Sequence, residues 1–166
     1  MIGPDRIKME EEKIKNVLDW LTPKYVKDIQ KFLGLANYYC QFIQGFASIA
    51  RPLHDTVKKD RKWEWTKRQE KVFKKLKEKF TQELVLAASD LDKKMRMKVD
   101  TSDYTMEGIL SMECEDRKWR LVAFLSKSLN ETERNYEIHD KEMLAIIRGL
   151  ENWRHLLEGM QFKFEI

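Results

Sequence analysis

The chain contains 166 residues, of which 42% are hydrophobic and 36% are charged. This composition places it among soluble globular proteins, with a core in one domain or two small ones. No apolar run is long enough to span a bilayer and no signal-peptide core is present, so we expect no membrane partner. The two cysteines lack the spacing of a zinc site or a disulfide framework, which suits a reducing compartment.

The net charge of +4 is unevenly distributed along the chain. Residues 51–79 carry twelve Lys and Arg against five Asp and Glu, whereas residues 101–166 carry nine against thirteen. A basic stretch of this kind favours a polyanionic partner such as nucleic acid. The alternative is that the lysine-rich helix faces are only solvated.

Helical periodicity dominates the first half of the chain. The first helix is predicted to end at Thr22 and Pro23, because the residue before proline disfavours the helical region. A second helix is predicted over about 25–43 and a third over about 46–57, where Pro52 should kink or divide the pattern. The apolar stripe of the first helix is Ile14, Val17, Leu18 and Leu21.

A charged connector at 58–62 leads to a fourth predicted helix. Thr66 and Gln69 occupy the positions of a capping box, in which each side chain bonds a backbone amide of the other residue. The helix is predicted to continue to about residue 81. Its apolar face is Phe73, Leu76 and Phe80.

After residue 90 the hydrophobic period changes from 3.6 to 2, which predicts strands. We expect strands over about 95–100, 107–113 and 119–125, then a long helix over about 137–158 and a strand over 161–166. The first three strands are predicted to be antiparallel, and the helix to be a crossover. The predicted core stripe of the long helix is Met143, Ile146, Ile147, Leu150, Trp153 and Leu157.

The pattern therefore predicts an α+β protein. An all-α part covers residues 1–57, a basic linker with one helix covers 58–89, and a mixed β-β-β-α-β unit covers 90–166. The terminal strand stops in mid-run, so we expect this unit to be truncated at its C-terminus.

Two carboxylates are candidates for a metal site. Asp100 ends the first predicted strand, and Glu142 lies near the start of the long helix. If the two converge at one edge of the sheet, they provide the oxygen ligands that Mg²⁺ prefers. Two acids are fewer than a two-metal site commonly uses. The alternative is that Asp100 and Asp103 cap a turn while Glu142 is a solvated acid in the first helical turn.

A second candidate site is a row on the second helix. Gln30, Gly34 and Tyr38 are spaced i, i+4 and i+8, so they share one face, and that face is not the apolar stripe. Glycine permits close approach of a nucleic-acid groove, the amide offers hydrogen bonds and the aromatic ring packs on sugars. The alternative is a helix-packing notch at Gly34.

Several segments resemble one family, in that family's order along the chain. Residues 28–43 read DIQKFLGLANYYCQFI, and RPL follows at 51–53. These segments resemble the thumb of retroelement reverse transcriptases. Later segments are similar to the next part of the gypsy-type LTR-retrotransposon Pol polyprotein: WEWT at 63–66, KVDTSDY at 98–104, VAFLSK at 122–127, ERNY at 133–136, KEMLAI at 141–146 and WRH at 153–155.

The resemblance implies a reverse-transcriptase thumb at 1–57, a connection helix at 58–89, and an RNase H-like domain truncated at its C-terminus. The parent would synthesise DNA on RNA and hydrolyse the RNA of RNA–DNA hybrids with two metal ions. Asp100 and Glu142 match the Mg²⁺-binding Asp of the family's strand motif and the Glu of its helix motif. The family's next catalytic Asp would follow Ile166, so the implied Mg²⁺ site is incomplete and we expect the chain alone to be inactive.

The resemblance also implies a nucleic-acid surface. Gln30, Gly34, Asn37 and Tyr38 match thumb positions that follow the minor groove, with Tyr in place of Trp. The chain departs from the family in two places. Cys40-Gln41 replaces the usual basic pair, which weakens phosphate contact there, and Glu107 replaces a small or apolar residue, with little expected effect on the acids.

The resemblance thus predicts a piece of a reverse transcriptase/ribonuclease H that holds an RNA–DNA hybrid or other duplex. Its other partner is the rest of the Pol polyprotein. The predicted location is intracellular, in a cytoplasmic virus-like particle and also in the nucleus. The alternative is a non-catalytic module, such as one domesticated by its host, that binds nucleic acid or serves as a structural connection.

Overall fold

The computed structural model describes residues 6–7, 10–82, 86–160 and 164–166. Its first part is a layer of four helices: α1 (Glu11–Leu18), α2 (Val26–Tyr38), α3 (Phe46–Thr56) and α4 (Lys67–Thr81). A short 3-10 turn, Cys40–Phe42, lies between α2 and α3. Two short strands, β1 (Arg6–Ile7) and β2 (Leu86–Ala87), pair antiparallel beside this layer.

The second part is a four-stranded mixed sheet. Its first three strands are β3 (Met95–Thr101), β4 (Thr105–Glu113) and β5 (Trp119–Ser128), and they pair antiparallel. The chain continues through α5 (Glu131–Arg134), α6 (Ile138–Asn152) and α7 (Arg154–Leu157). It then returns as β6 (Phe164–Glu165), which pairs parallel with β3, so the strand order is β5-β4-β3-β6. This α+β arrangement confirms the predicted fold class and the predicted crossover.

Residues 161–163 of the last predicted strand lie outside the described residues. Of that strand, the structure describes β6, at one edge of the sheet. Among the described residues, no helix combines the length and the apolar character needed to cross a membrane.

The sheet is packed between two helical layers. One face meets α1–α4, where Phe124 and half-buried Ile109 join a core of helix residues. The opposite face meets α6, where Met95, Met97 and Leu110 surround Trp153. The sheet therefore connects the two predicted parts of the chain through continuous hydrophobic packing.

The fourth helix begins as the capping box predicts. The Thr66 backbone amide donates to Gln69 Oε1 at 3.1 Å, and the Arg68 amide donates to Thr66 Oγ1 at 3.2 Å. Its apolar face is fully buried, as predicted: Phe73, Leu76 and Phe80. Because this face packs into the core of α1–α3, the segment predicted as a linker contributes to the helical layer. The boundaries at 57/58 and 89/90 stay predictions.

The first helix is shorter than predicted and ends at Leu18. Ile14 is partly buried and Val17 fully buried, as the stripe requires, but Leu18 is 45% exposed and Leu21 is 83% exposed. The prediction for these two leucines was wrong, because the chain leaves the helix and places Trp20 against the core instead.

Pro52 lies inside α3 and does not divide it. The loss of one backbone hydrogen bond is tolerated here because Ala50 and Leu53, on either side, are fully buried. The second predicted helix does divide, since α2 ends at Tyr38 and the 3-10 turn follows.

The predicted stripe of the long helix was right for Ile146, Trp153 and Leu157, which pack against the core of the sheet, and wrong for the other three residues. The helix packs on the sheet through Ala145, Gly149 and Trp153, spaced i, i+4 and i+8. Met143, Ile147 and Leu150 are 57%, 46% and 37% exposed. The reason is steric: a Cβ added at Gly149 would lie 2.5 Å from Met97 Sδ. The Met97 side chain therefore requires a small residue at position 149 of α6. The helix also ends earlier than predicted, because Trp153 separates α6 from α7.

Candidate nucleic-acid interface and carboxylate pair

The predicted row on α2 lies on an open surface. Gln30, Gly34, Asn37 and Tyr38 are all exposed, and Tyr38 is 74% exposed. A Cβ added at Gly34 would meet no described atom within 4 Å. This excludes the helix-packing notch as the reason for glycine here, within the part of the chain that the structure describes.

Burial of the opposite side of α2 determines where this row points. Ile29, Phe32, Leu33 and Ala36 are buried in the helical core. The helix begins after Tyr25, where the Asp28 carboxylate accepts the backbone amides of Lys24 at 3.1 Å and Tyr25 at 3.3 Å. The acid also lies in the first helical turn, where a negative charge is favourable. The row is therefore presented to solvent by a helix with a defined start and a defined buried side.

Two exposed lysines that were not among the predicted site residues, Lys27 and Lys31, extend the α2 row. Lys27 lies one helical turn before Gln30, and Lys31 immediately follows Gln30. Helical spacing could have identified the two lysines, because residues three, four and seven positions from Gly34 lie on the same side of the helix. Lys31 also lines a groove of about 830 Å³ between α1 and α2, together with Lys13 and Trp20. The open face thus combines amides, an aromatic ring and positive charge.

Cys40 and Gln41 lie just after the end of α2, and the weaker phosphate contact expected there stays a prediction. Gln41 is exposed, but Cys40 is half-buried. Burial raises the pKa of the Cys40 thiol, so this side chain stays neutral at pH 7.

The structure brings Asp100 and Glu142 to the same end of the sheet. Lys141 Nζ lies 3.9 Å from Asp103 Oδ1, which places the start of α6 beside the β3–β4 turn. Asp100 is the last residue but one of β3, just before that turn, and both candidate carboxylates are exposed. On β3, Met97 faces α6, so strand alternation puts Asp100 on the face directed toward the helical layer.

Glu107 lies directly across from Asp100, an adjacency that the linear sequence does not reveal. The two residues are register partners in the β3–β4 pair. Like charges directly opposite one another are unfavourable, so this pair concentrates negative charge beside the candidate site. Ser48 of α3 donates to Glu107 Oε1 at 3.4 Å, and the Ala47 amide donates to Ser126 Oγ at 2.9 Å. These bonds join the start of α3 to the sheet.

Among the residues that the structure describes, no three His, Cys, Asp or Glu side chains come together as a metal site. The candidate site is therefore a pair of exposed carboxylates with one acidic neighbour. The predicted roles of Asp100, Glu142 and the α2 row stay predictions.

The fold and the sequence together define the class of protein. Residues 65–164 match the family described as the RNase H-like domain found in reverse transcriptase, and the chain belongs to that family. The chain is 36% identical over 156 residues to the Transposon Tf2-3 polyprotein of Schizosaccharomyces pombe (strain 972 / ATCC 24843), covering 94% of this chain and 12% of the polyprotein. The Tf2-4 polyprotein of the same organism matches equally well. The predicted relationship to a retroelement Pol polyprotein is confirmed, and the chain spans about 12% of these relatives' length.

Solved structures share the fold. The foamy viral protease-reverse transcriptase in complex with RNA/DNA hybrid superposes with a TM-score of 0.78 at 19% identity, covering 91% of this chain and 20% of that chain. The same enzyme in complex with dsDNA gives a TM-score of 0.78 at 18% identity, covering 91% and 32%. The likeness spans both the helical layer and the sheet.

Proposed function

We propose that this chain is part of a retroelement reverse transcriptase/ribonuclease H and that it holds an RNA–DNA hybrid or other duplex on the exposed face of α2. The observation that carries the proposal is the open row at Gln30, Gly34, Asn37 and Tyr38, on a helix whose other side is fully buried. Family membership supports the context. The hybrid and dsDNA complexes of the foamy viral enzyme support the ligand class.

Each feature of the row suits a nucleic-acid groove. The bare backbone at Gly34 admits a sugar–phosphate edge that a side chain would hold away. The amides of Gln30 and Asn37 donate and accept hydrogen bonds at sugars and base edges, and the Tyr38 ring packs on a sugar. Lys27 and Lys31 supply charge that neutralises phosphates.

We expect Gly34→Leu to weaken hybrid binding at least tenfold without lowering stability. A Cβ at this position meets no described atom within 4 Å, so the new side chain projects into the open space that the duplex would occupy. Removing glycine from a helix interior should raise stability by up to about 1 kcal/mol. Binding is measured by fluorescence anisotropy with a labelled RNA–DNA hybrid at low salt, and stability by urea unfolding.

Gly34→Ala is the matched control, because it gives the same gain in helix propensity with a much smaller obstruction. Gln30→Ala and Tyr38→Ala should each weaken binding, since they remove a hydrogen-bonding group and a packing ring. Unchanged hybrid affinity in Gly34→Leu and Tyr38→Ala would contradict the α2 interface.

We further propose that Asp100 and Glu142 hold Mg²⁺ in the parent enzyme. Their exposed oxygen donors at one end of the sheet fit that ion, which is commonly bound by one or two carboxylates together with substrate phosphates. The negative charge of Glu107 across from Asp100 favours a cation further. When bound, the metal would activate water and stabilise charge during RNA hydrolysis. The carboxylates would position the ion next to the scissile strand.

The metal proposal is tested with Mn²⁺ in place of Mg²⁺. Paramagnetic broadening of NMR amide signals should be strongest around Asp100 and Glu142, and Asp100→Asn should remove it. Asp116→Asn, in the turn between β4 and β5 at the other end of the sheet, is the matched control and should leave the broadening unchanged. Broadening centred elsewhere, or persisting in Asp100→Asn, would rule the site out.

A non-catalytic module is the second candidate function. It is favoured because, among the described residues, no three His, Cys, Asp or Glu side chains come together as a metal site. In this case the chain would bind nucleic acid or connect neighbouring parts of the Pol polyprotein. The proposed location for either function is intracellular.

A further inference from the structure

A cluster of two arginines surrounds one tyrosine where the helical layer meets the sheet. Tyr104 lies in the β3–β4 turn and is 48% exposed. The guanidinium carbon of Arg51, on α3, lies 4.1 Å from the centroid of the Tyr104 ring. That of Arg134, at the end of α5, lies 5.4 Å from the same centroid. Three separate elements therefore bring their side chains to one point.

The two guanidinium groups lack carboxylate partners within 4 Å among the residues that the structure describes. Asp55, one helical turn after Arg51, pairs with Lys58 at 2.7 Å. Glu133, next to Arg134 in sequence, pairs with Arg148 instead. Two like charges gathered at one ring repel each other, and the ring alone compensates only part of this. Asp55 is near enough for the Arg51 charge to lower the pKa of its carboxyl, but neither guanidinium contacts a carboxylate among the described residues, and an anion would relieve the repulsion between the two arginines.

The cluster is also held in a defined geometry. Arg134 Nε donates to the Leu129 carbonyl oxygen at 3.2 Å, which leaves the terminal nitrogens of its guanidinium for another acceptor. The Arg51 guanidinium lies over the Tyr104 ring, 4.1 Å from its centroid. Planar guanidinium groups fixed in this way suit phosphate oxygens, which accept two parallel N–H donors.

The cluster lies at the end of the sheet that carries the candidate carboxylates. Tyr104 follows Asp103, whose carboxylate lies 3.9 Å from Lys141 at the start of α6. Asp103 is 89% exposed at its side chain and its pair with Lys141 is loose, so this acid compensates little of the charge of the two arginines. A polyanion passing this end of the sheet would meet Arg51 and Arg134 together.

We propose that Arg51 and Arg134, positioned by Tyr104, form a phosphodiester-binding site for the duplex. The inference rests on the proposed nucleic-acid function and adds a second contact point, at the junction between α3 and the sheet. This contact holds one strand's backbone near Asp100 and Glu142, while the α2 row contacts the duplex separately.

The test is the salt dependence of RNA–DNA hybrid binding by the full chain. The double variant Arg51→Gln/Arg134→Gln should reduce the slope of log K against log salt by about 1.8, since each lost phosphate contact in a duplex changes that slope by about 0.9. Arg154→Gln is the matched control. Arg154 lies on α7, after the far end of α6, and is 77% exposed. Within the described part of the chain its one ion pair is with Glu158 at 3.7 Å, so the slope should stay unchanged.

Arg51→Lys separates charge from geometry. It keeps the positive charge, so the salt slope should remain, but it loses the planar fork and the stack on Tyr104, so affinity should fall several-fold. A purely structural role for Arg51 predicts the opposite pattern: lower thermal stability and an unaltered slope in the glutamine variants.

The outcomes distinguish this site from the α2 interface. An unchanged slope in the double variant, with weakened binding in Gly34→Leu, overturns the arginine site and leaves the proposed function standing. A reduced slope with silent α2 variants supports the arginine site and overturns the α2 row. Absence of hybrid binding by the unmodified chain at low salt overturns both.

Discussion

Trp153→Ala is expected to lower the free energy of unfolding by about 3–5 kcal/mol, the usual cost of truncating a fully buried tryptophan. Trp153 is 1% exposed and lies between α6 and the sheet. Two glycines leave room for its ring: a Cβ at Gly108 would lie 3.0 Å from Trp153 Cη2, and one at Gly149 would lie 3.6 Å from Trp153 Cζ3. Because the backbone at Gly108 and Gly149 lies against the ring on both sides, the surrounding structure cannot easily move in to fill the cavity that alanine would leave. Urea unfolding monitored by circular dichroism measures the loss.

Trp63→Ala provides the comparison for that loss. Trp63 is half-buried and stacks on Trp65 with ring centroids 5.9 Å apart. Because part of its surface is already in water, its removal should cost distinctly less than the removal of Trp153. Equal losses in the two variants would contradict the central position of Trp153 in the sheet–α6 core.

Arg148→Ala is expected to destabilise the protein by about 2–3 kcal/mol, because it leaves the Glu133 carboxylate buried without its cation. The Glu133 side chain is 9% exposed and that of Arg148 is 25% exposed. Arg148 Nη1 donates to Glu133 Oε2 at 3.3 Å, and the Asn130 backbone amide donates to the same oxygen at 2.9 Å. The partial exposure of Arg148 keeps the expected cost below the roughly 3–5 kcal/mol of a fully buried pair.

The same ion pair gives stability a defined pH dependence. Burial raises the pKa of the Glu133 carboxyl. The Asn130 backbone amide and the Arg148 guanidinium together lower it by more than burial raises it, so the net pKa lies below the ordinary value. A depressed folded-state pKa stabilises the fold above the unfolded-state value of about 4.3, and this contribution is lost as the pH falls through the lower folded-state value. The stability advantage of the unmodified chain over Glu133→Gln should therefore be full at pH 6 and shrink in acid.

Urea unfolding between pH 2 and pH 7 measures this difference. Glu158→Gln is the control, since Glu158 is 70% exposed and its pair with Arg154 is 3.7 Å long. Such a surface pair contributes at most about 1 kcal/mol. A pH-independent difference for Glu133→Gln would show that the Glu133 charge does not stabilise the fold.

Local signals in the sequence predicted the elements well. The alternation at 95–100 became β3, because a period of two is a property of the strand itself. The capping box at Thr66 and Gln69 became the start of α4, because both hydrogen bonds form within four residues. The open row on α2 followed from helical spacing alone.

Prediction failed where a partner decided which side chain was buried. The long helix has apolar residues on more than one side, and periodicity does not rank them. Only the volume of Met97 on the facing strand shows that Gly149, and not Ile147 or Leu150, must lie at the contact. Leu21 likewise looked like a core residue until Trp20 was seen to pack in its place.

The sequence by itself determined the family, the α+β order of elements, the α2 row and the two candidate carboxylates, because each depends on neighbours within a few residues or on a recognisable motif. The tertiary structure alone decided the adjacency of Asp100 and Glu107, the pairing of Glu133 with Arg148 and the meeting of Arg51 and Arg134 at Tyr104. These contacts join residues that are distant in the chain. They form only when strand register and helix packing bring the elements together, and no periodicity along the chain encodes that.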